Sequence, residues 1–392
     1  MTDLAVIGAG TMGAWTALQA VRGGRSVRLV DAFGPGSPRA TSGDETRISR
    51  ASHGLDRFYV RWSREAREAW IAFGDEVGEQ CFVQAGVVWF AHRADGFEAT
   101  SLATLRQMDV PAERIAVDEA ARRWPQVSFD DVAFAVLEPE GGLLMARRAV
   151  ASVARRVAAL GGASEVAAAR PGRIDGSSLV DVELGDGRRL AADQFVFACG
   201  PWLPALFPEV AGDLIAVTKQ DVVFVGQRAG DSRFEAASLP CWIDYDASYY
   251  GVPAVDGRGF KIAPDRYGEP FDPSSGDRIV DPDSIRLARR YLARRFPDLA
   301  DGPILETRTC QYETTPDTNF VIDRHPAFDN VWLVGGGSGH GFKHGPVIGR
   351  YVTRLLDGHV ASGEVTRFRL DRPRTPAATG AGARRVIDER VS

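Results

Sequence analysis

The chain begins with an unbroken apolar run, Leu4, Ala5, Val6 and Ile7, followed at once by Gly8, Gly10 and Gly13 in GxGxxG spacing. Such a run suits a strand buried on both faces of a parallel sheet. Ala14, Ala17, Leu18 and Val21 then recur at 3, 4 and 7 residues, one face of an α-helix that Gly23-Gly24 closes. A second strand, Ser26 to Val30, stops at Asp31. Helical stripes return at Phe58, Trp62, Ala66, Ala69 and Phe73, at Val150, Val153, Val157 and Leu160, and at Ile285, Ala288, Leu292 and Phe296, the last stopped by Pro297. Gly86 to Phe90, Phe195 to Ala198 and Val331 to Val334 read as strands, and the stretch from about Ile215 to Pro264 is strand-rich. Pro346 suits the first turn of a helix carrying Ile348 to Leu356.

The first 31 residues are therefore a βαβ unit in which each part has a physical task. The first glycine permits the turn, the second lets a pyrophosphate approach the backbone, and the third lets helix pack on strand. The helix amino terminus attracts the phosphates. Asp31, 18 residues beyond Gly13, is placed to accept hydrogen bonds from a ribose diol. This unit by itself fits NAD and FAD equally, because both carry an adenosine diphosphate.

At 392 residues the chain exceeds the usual size of one core, so two domains are expected. Its 42 glycines exceed the roughly 7% average and point to backbone packed against a ligand. A net charge of -5 with scattered Lys and Arg gives no footprint for nucleic acid. Cys81, Cys199, Cys241 and Cys310 form no CxxC pair, which argues against a zinc site or a disulfide framework and for a reducing cytoplasm. Leu4 to Val21 imitates a signal peptide, but Asp3 precedes it, no Lys or Arg does, and glycines interrupt it. No other run reaches the roughly 18 apolar residues of a membrane span, so no membrane partner is expected. Residues 373–392, rich in Pro, Ala, Gly and Arg, are expected to form a mobile tail.

Four segments together resemble the monomeric sarcosine oxidase family, which includes N-methyltryptophan oxidase and pipecolate oxidase. They are GAGTMG with LVDAF, ETRISR, YYGVP with GFK, and CQYETTPDTNFVIDRHP followed by GSGHGFK. The resemblance implies an α/β fold: a GR2-type Rossmann-like FAD-binding domain (residues 1–84, 146–214 and 305–372) and a substrate domain with a large mixed sheet (85–145 and 215–304). It implies FAD joined covalently through a thioether to Cys310. The implied cofactor set is Gly8, Gly10, Met12, Gly13, Asp31, Thr41, Ser42, Thr46, Arg47, Gly200, Trp202, Gly337, Gly339, His340, Gly341, Phe342 and Lys343, together with that cysteine.

Taking a hydride leaves negative charge at the flavin N1 and C2 carbonyl, so a site must present positive potential there. Backbone N–H groups of Gly339 to Phe342, the following helix and Lys343 are suited to supply it. By resemblance, Arg50 and Lys343 clamp a substrate carboxylate on one flavin face and Arg47 lies over the other. Lys261 approaches flavin N5 through water and promotes reaction with oxygen, and Tyr250 and Tyr312 line the substrate cavity. Asp265 and Glu313 replace neutral or histidine positions of the family, make sarcosine itself a poor candidate and suit a cationic group. His340 and His344 lie four apart, but glycines surround them and no HExxH acid is present, so no metal is expected.

The expectation is a monomeric oxidase of an N-methyl or cyclic secondary amino acid that passes hydride to flavin N5 and electrons on to O2. The alternatives are an amine dehydrogenase with another electron acceptor, a biosynthetic cyclic imino acid oxidase, an NAD-dependent dehydrogenase and a non-catalytic flavin-binding protein.

Overall fold

The computed structural model describes residues 2–359 and 365–373; the expected tail lies outside them from residue 374 onward. The four residues Leu4–Ile7, all buried, form a central strand of a six-stranded sheet. The order is Val321–Arg324, Val331–Gly335, Gln194–Phe197, Leu4–Ile7, Val27–Asp31 and Ala163–Val166. Every neighbouring pair is parallel except the first, which is antiparallel. Parallel neighbours bury both faces of the central strands, which is why Leu4–Ile7 reads as a continuous apolar run, whereas the edge strand Ala163–Val166 is partly exposed and mixed.

The helices Thr11–Arg22, Arg57–Val77, Ala146–Ala159 and Gly345–Leu356 pack into one core with this sheet. Trp15 meets Trp70 edge-on, with ring centroids 5.0 Å apart. The crossing of the first and last of these helices needs a glycine, because a Cβ on Gly349 would stand 2.6 Å from the Trp15 carbonyl oxygen. Arg57–Val77 starts where Asp56 accepts hydrogen bonds from the Phe58 and Tyr59 amides and ends at Gly78, whose φ of 65° an L side chain rarely adopts.

The second sheet has eight strands, in the order Ile304–Thr314, Ala216–Val225, Phe260–Pro264, Tyr249–Val252, Cys241–Asp244, Val87–Ala91, Phe134–Glu138 and Glu113–Ile115. It is mixed, since Cys241–Asp244 runs parallel to Val87–Ala91 while the other pairs are antiparallel. Trp242, Phe260, Phe90 and Phe296 form the core between this sheet and the helix Pro282–Arg295. A small sheet of Arg47–Ser49, Gly142–Leu144 and Phe82–Val83 lies between the chain segments of the two large ones.

One expected boundary moves. Ile304–Thr314 was grouped with the nucleotide-binding segments, but it hydrogen-bonds to Ala216–Val225, with Cys310 opposite Gln220. It is therefore a strand of the large sheet, and the return to the six-stranded sheet comes only at Val321. Its first half carries four consecutive polar residues, Glu306 to Thr309, so sequence pattern does not mark where it belongs.

Candidate active site

A cavity of about 490 Å³ lies where the carboxyl ends of the parallel strands face the large sheet. Ligands of open α/β sheets bind at this end. Ile7, Gly8, Gly10, Asp31, Ala198 and Gly200 line it from the first sheet, and Trp89, Ile243, Tyr245, Tyr250 and Tyr312 from the second. The loop Gly335–Lys343 closes it from a third side.

The nucleotide end is shaped for backbone approach. A Cβ on Gly8 would meet the Ala198 carbonyl oxygen at 2.3 Å, and one on Gly13 would stand 1.9 Å from the Gly8 oxygen. Gly10 faces the Ser42 hydroxyl, which accepts from the Thr11 amide at 3.0 Å. Asp31 lines the cavity while its carboxylate accepts from the Ala9 and Phe33 amides at 2.7 and 2.8 Å, fixing the turn. Trp202 and Phe33, ring centroids 5.4 Å apart, stand at the same wall.

Two groups of cations flank the cavity, each pairing a buried lysine with a half-buried arginine. In the first, Asp44 accepts from Lys261 and, at 2.6 Å, from Arg47. Burial works against the charge on Asp44, but these two cations outweigh it and hold its carboxyl well below the usual range. Lys261 also donates to the Thr46 carbonyl at 3.1 Å and is 1% exposed. Arg47 reaches the Thr41 carbonyl at 2.6 Å and the Cys310 sulfur at 3.4 Å.

In the second group, Arg50 and Lys343 both line the cavity. The Lys343 ammonium donates to the His340 carbonyl at 3.1 Å. Its main chain is held by Trp70, which donates to the Lys343 carbonyl at 2.9 Å and stacks on Phe342. Burial, with repulsion from Arg50, pushes the Lys343 ammonium well below its ordinary pKa, against a smaller pull from Glu138. Arg50 lies over the Trp89 ring and donates to the Ser52 carbonyl. Glu138 is engaged elsewhere, accepting from the Ala51 amide at 2.6 Å and the Trp89 indole at 2.8 Å.

Residues 3–355 match the FAD dependent oxidoreductase family. The chain is 31% identical over 363 residues to the monomeric sarcosine oxidase of Streptomyces avermitilis, covering 90% of this chain and 93% of that protein. The chain is an FAD-dependent oxidoreductase of the monomeric sarcosine oxidase family. A similar enzyme from Bacillus sp. (strain B-0618) is 27% identical over 377 residues, 95% of this chain and 96% of its own. The fold of this oxidoreductase also matches L-proline dehydrogenase from P. horikoshii, with a TM-score of 0.82 at 21% identity over 94% and 96% of the two chains.

The cavity of this oxidoreductase fits the cofactor of its family. The glycine cradle, the strand-end Asp31 and the indole of Trp202 form a wall suited to adenosine diphosphate, and the loop Gly337–Lys343 stands where the remainder of the cofactor would lie. Met12, Thr41, Ser42, Arg47, Gly200, Gly337, Gly339, His340, Gly341 and Phe342 all line the cavity, as expected from the sequence. Gly13 does not, in keeping with its packing task.

Lys261, Thr46 and Cys310 stand behind the lining residues Arg47 and Thr41, and the ammonium of Lys261 is engaged by Asp44. Glu313, expected to suit a cationic substrate group, lines the cavity. Its carboxyl stands against Gly200 and Gly337, accepting from the Gly337 amide at 3.4 Å, and burial pushes its pKa up to about 7. Asp265 does reach the cavity, with the Tyr312 hydroxyl 3.5 Å from its carboxylate.

Sequence reasoning missed Asp44, Trp89, Ile243 and Tyr245. Asp44 was within reach as an acid between two glycine-rich and basic stretches, but nothing in the pattern shows that Lys261, 217 residues away, closes on it. Trp89 sat in a predicted strand whose cavity-facing side depends on register.

Proposed function

We propose that this enzyme oxidises an N-methyl or cyclic secondary amino acid at its C–N bond and passes the electrons to O2, giving an imine and hydrogen peroxide. The observation that carries the reading is the pair Arg50 and Lys343, two cations on one cavity wall, with Arg50 lowering the Lys343 pKa. A substrate carboxylate between them would relieve that repulsion and be oriented by the guanidinium fork. Trp89, Tyr245, Tyr250 and Tyr312 give the rest of the substrate an aromatic enclosure that excludes water. Asp265, beside the Tyr312 hydroxyl, is the acid placed to take the substrate's ammonium proton. FAD, when bound, supplies the hydride acceptor; the residues supply position and charge.

Anaerobic mixing with a panel of N-methyl, cyclic and D-amino acids, read as loss of the oxidised flavin absorbance, tests this directly. Bleaching confined to amines without a carboxylate would overturn it. A covalent thioether at Cys310 belongs to the same proposal, supported by the contact of its sulfur with Arg47, which lines the cavity. Acid precipitation should leave a yellow pellet from the wild type and a colourless one from Cys310→Ala; a colourless wild-type pellet from yellow protein rejects the linkage.

One observation favours a second reading. Asp44, shared with Arg47, offsets part of the charge of Lys261, the group expected to favour electron transfer to oxygen, and so supports a dehydrogenase with another acceptor. Reoxidation of the reduced flavin in air separates the two: completion within seconds supports the oxidase, persistence for minutes the dehydrogenase.

A further inference from the structure

Three histidines from two chain segments converge beneath the cavity-closing loop. His53 follows the strand Arg47–Ser49, His340 lies in the glycine-rich run and His344 ends the short 3-10 turn Phe342–His344. Each offers one ring nitrogen, and these nitrogens lie within 4.8 Å of one another. All three rings are buried, at 3%, 7% and 0% exposure. Tyr59, Trp62 and Phe320 surround them.

The hydrogen bonds determine which nitrogens carry protons. His53 Nδ1 lies 3.0 Å from the Ala51 carbonyl, and His340 Nε2 lies 3.0 Å from the Thr318 carbonyl. A carbonyl only accepts, so these nitrogens hold the protons, which leaves His53 Nε2 and His340 Nδ1 as the nitrogens that can turn to a metal ion. Burial, with the cations Lys343 and Arg50 nearby, holds His53 and His344 well below the ordinary histidine pKa, which keeps both rings neutral. On His344 neither ring nitrogen meets a hydrogen-bond partner among the described residues; the Trp62 carbonyl pulls on it only from outside bonding geometry.

A neutral His344 has one N–H and one lone pair, and neither is met by a hydrogen-bond partner among the described residues. Buried groups left in that state cost about 1 to 3 kcal/mol each. An imidazole that donates one N–H to a backbone carbonyl and turns its other nitrogen to a shared point is the arrangement of a metal-ligating histidine.

We propose that His53, His340 and His344 form a three-imidazole site for a late first-row transition ion, with copper(I) the best match. The ligand set is neutral and nitrogenous, with no carboxylate or thiolate. Imidazole suits copper and zinc. Arg50 and Lys343 repel a divalent ion about twice as strongly as a monovalent one. Nitrogens about 2.0 Å from one ion stand about 3.5 Å apart, so modest side-chain rotation closes the site. A bound ion would tie the turn after Arg50 to the loop that carries Lys343, adding a structural clasp that the flavin chemistry does not require.

The test uses the flavin-loaded protein, titrated anaerobically with copper(I) and separately with zinc(II) against a chromophoric chelator. One equivalent of copper(I) should bind, and X-ray absorption should show a shell of nitrogen ligands near about 2 Å. His53→Phe and His344→Leu should each lower affinity at least about 100-fold with flavin absorbance retained, while His359→Ala, on the surface, should not. One equivalent of zinc(II) in place of copper(I), lost in the same variants, would overturn the copper preference. No stoichiometric binding of either ion, binding undiminished in the double variant, or a sulfur shell on the wild-type ion would overturn the site itself.

Discussion

The two cation pairs beside the cavity are built from the same residue types and behave oppositely. Lys261 and Arg47 share Asp44, so each cation has an anionic partner inside the protein without a ligand. Lys343 has no carboxylate ion partner among the described residues, and its nearest charged influence is the repulsion of Arg50. Paired cations hold chain segments together, whereas a cavity-wall lysine without a carboxylate partner suits the anion proposed above. The difference separates a paired group behind the cavity wall from the group proposed to bind the substrate.

The largest effect is expected from breaking the pairing. Asp44→Asn leaves both cations without their carboxylate and should cost about 3 to 5 kcal/mol of stability, measured by denaturant unfolding. A loss below about 1 kcal/mol would show that Asp44 is not the keystone of that unit.

In the second group, Lys343→Met and Arg50→Ala should each weaken a carboxylate inhibitor by about 2 to 3 kcal/mol, or roughly 30- to 150-fold. Unfolding of Lys343→Met should change far less than that of Asp44→Asn, because Lys343 has no carboxylate partner among the described residues to strand. Equal inhibitor affinity in wild type and both variants would place the carboxylate elsewhere.

The pH dependence sharpens the contrast. The Lys343 ammonium is held well below its ordinary pKa in the free enzyme, and a bound carboxylate favours its protonated form. Inhibitor affinity should therefore be full at low pH and fall about tenfold per unit once pH rises above the free-enzyme pKa of Lys343. Lys343→Met should remove that slope. Asp44, held low by its two cations, should add no slope above pH 5.

The smallest effect concerns Trp70. Trp70→Phe keeps an aromatic ring for Phe342 but deletes the N–H that fixes the Lys343 carbonyl, and should cost about 1 kcal/mol in inhibitor binding. No change in affinity would mean that the loop is held by its glycine geometry alone.

Much of the architecture was legible from local pattern. The βαβ unit, the helices beginning near Arg57, Ala146 and Pro282, and the strand before Gly335 all rest on periodicity and on glycine or proline punctuation, which are short-range properties. The glycine cradle was legible for the same reason, since a missing Cβ is visible in sequence. The sheet membership of Ile304–Thr314 was not, because a strand's partner is chosen by contacts far along the chain.

The amino-acid sequence by itself determined the cofactor cradle and the identities of the charged residues near it. Only the tertiary structure decided which charges pair. Asp44 meets Lys261 across 217 positions, His53 meets His340 and His344 from a distant segment of the chain, and Glu313 stands against Gly200 and Gly337. Electrostatic roles are set by distance and burial, and neither quantity is carried by a residue's place in the chain.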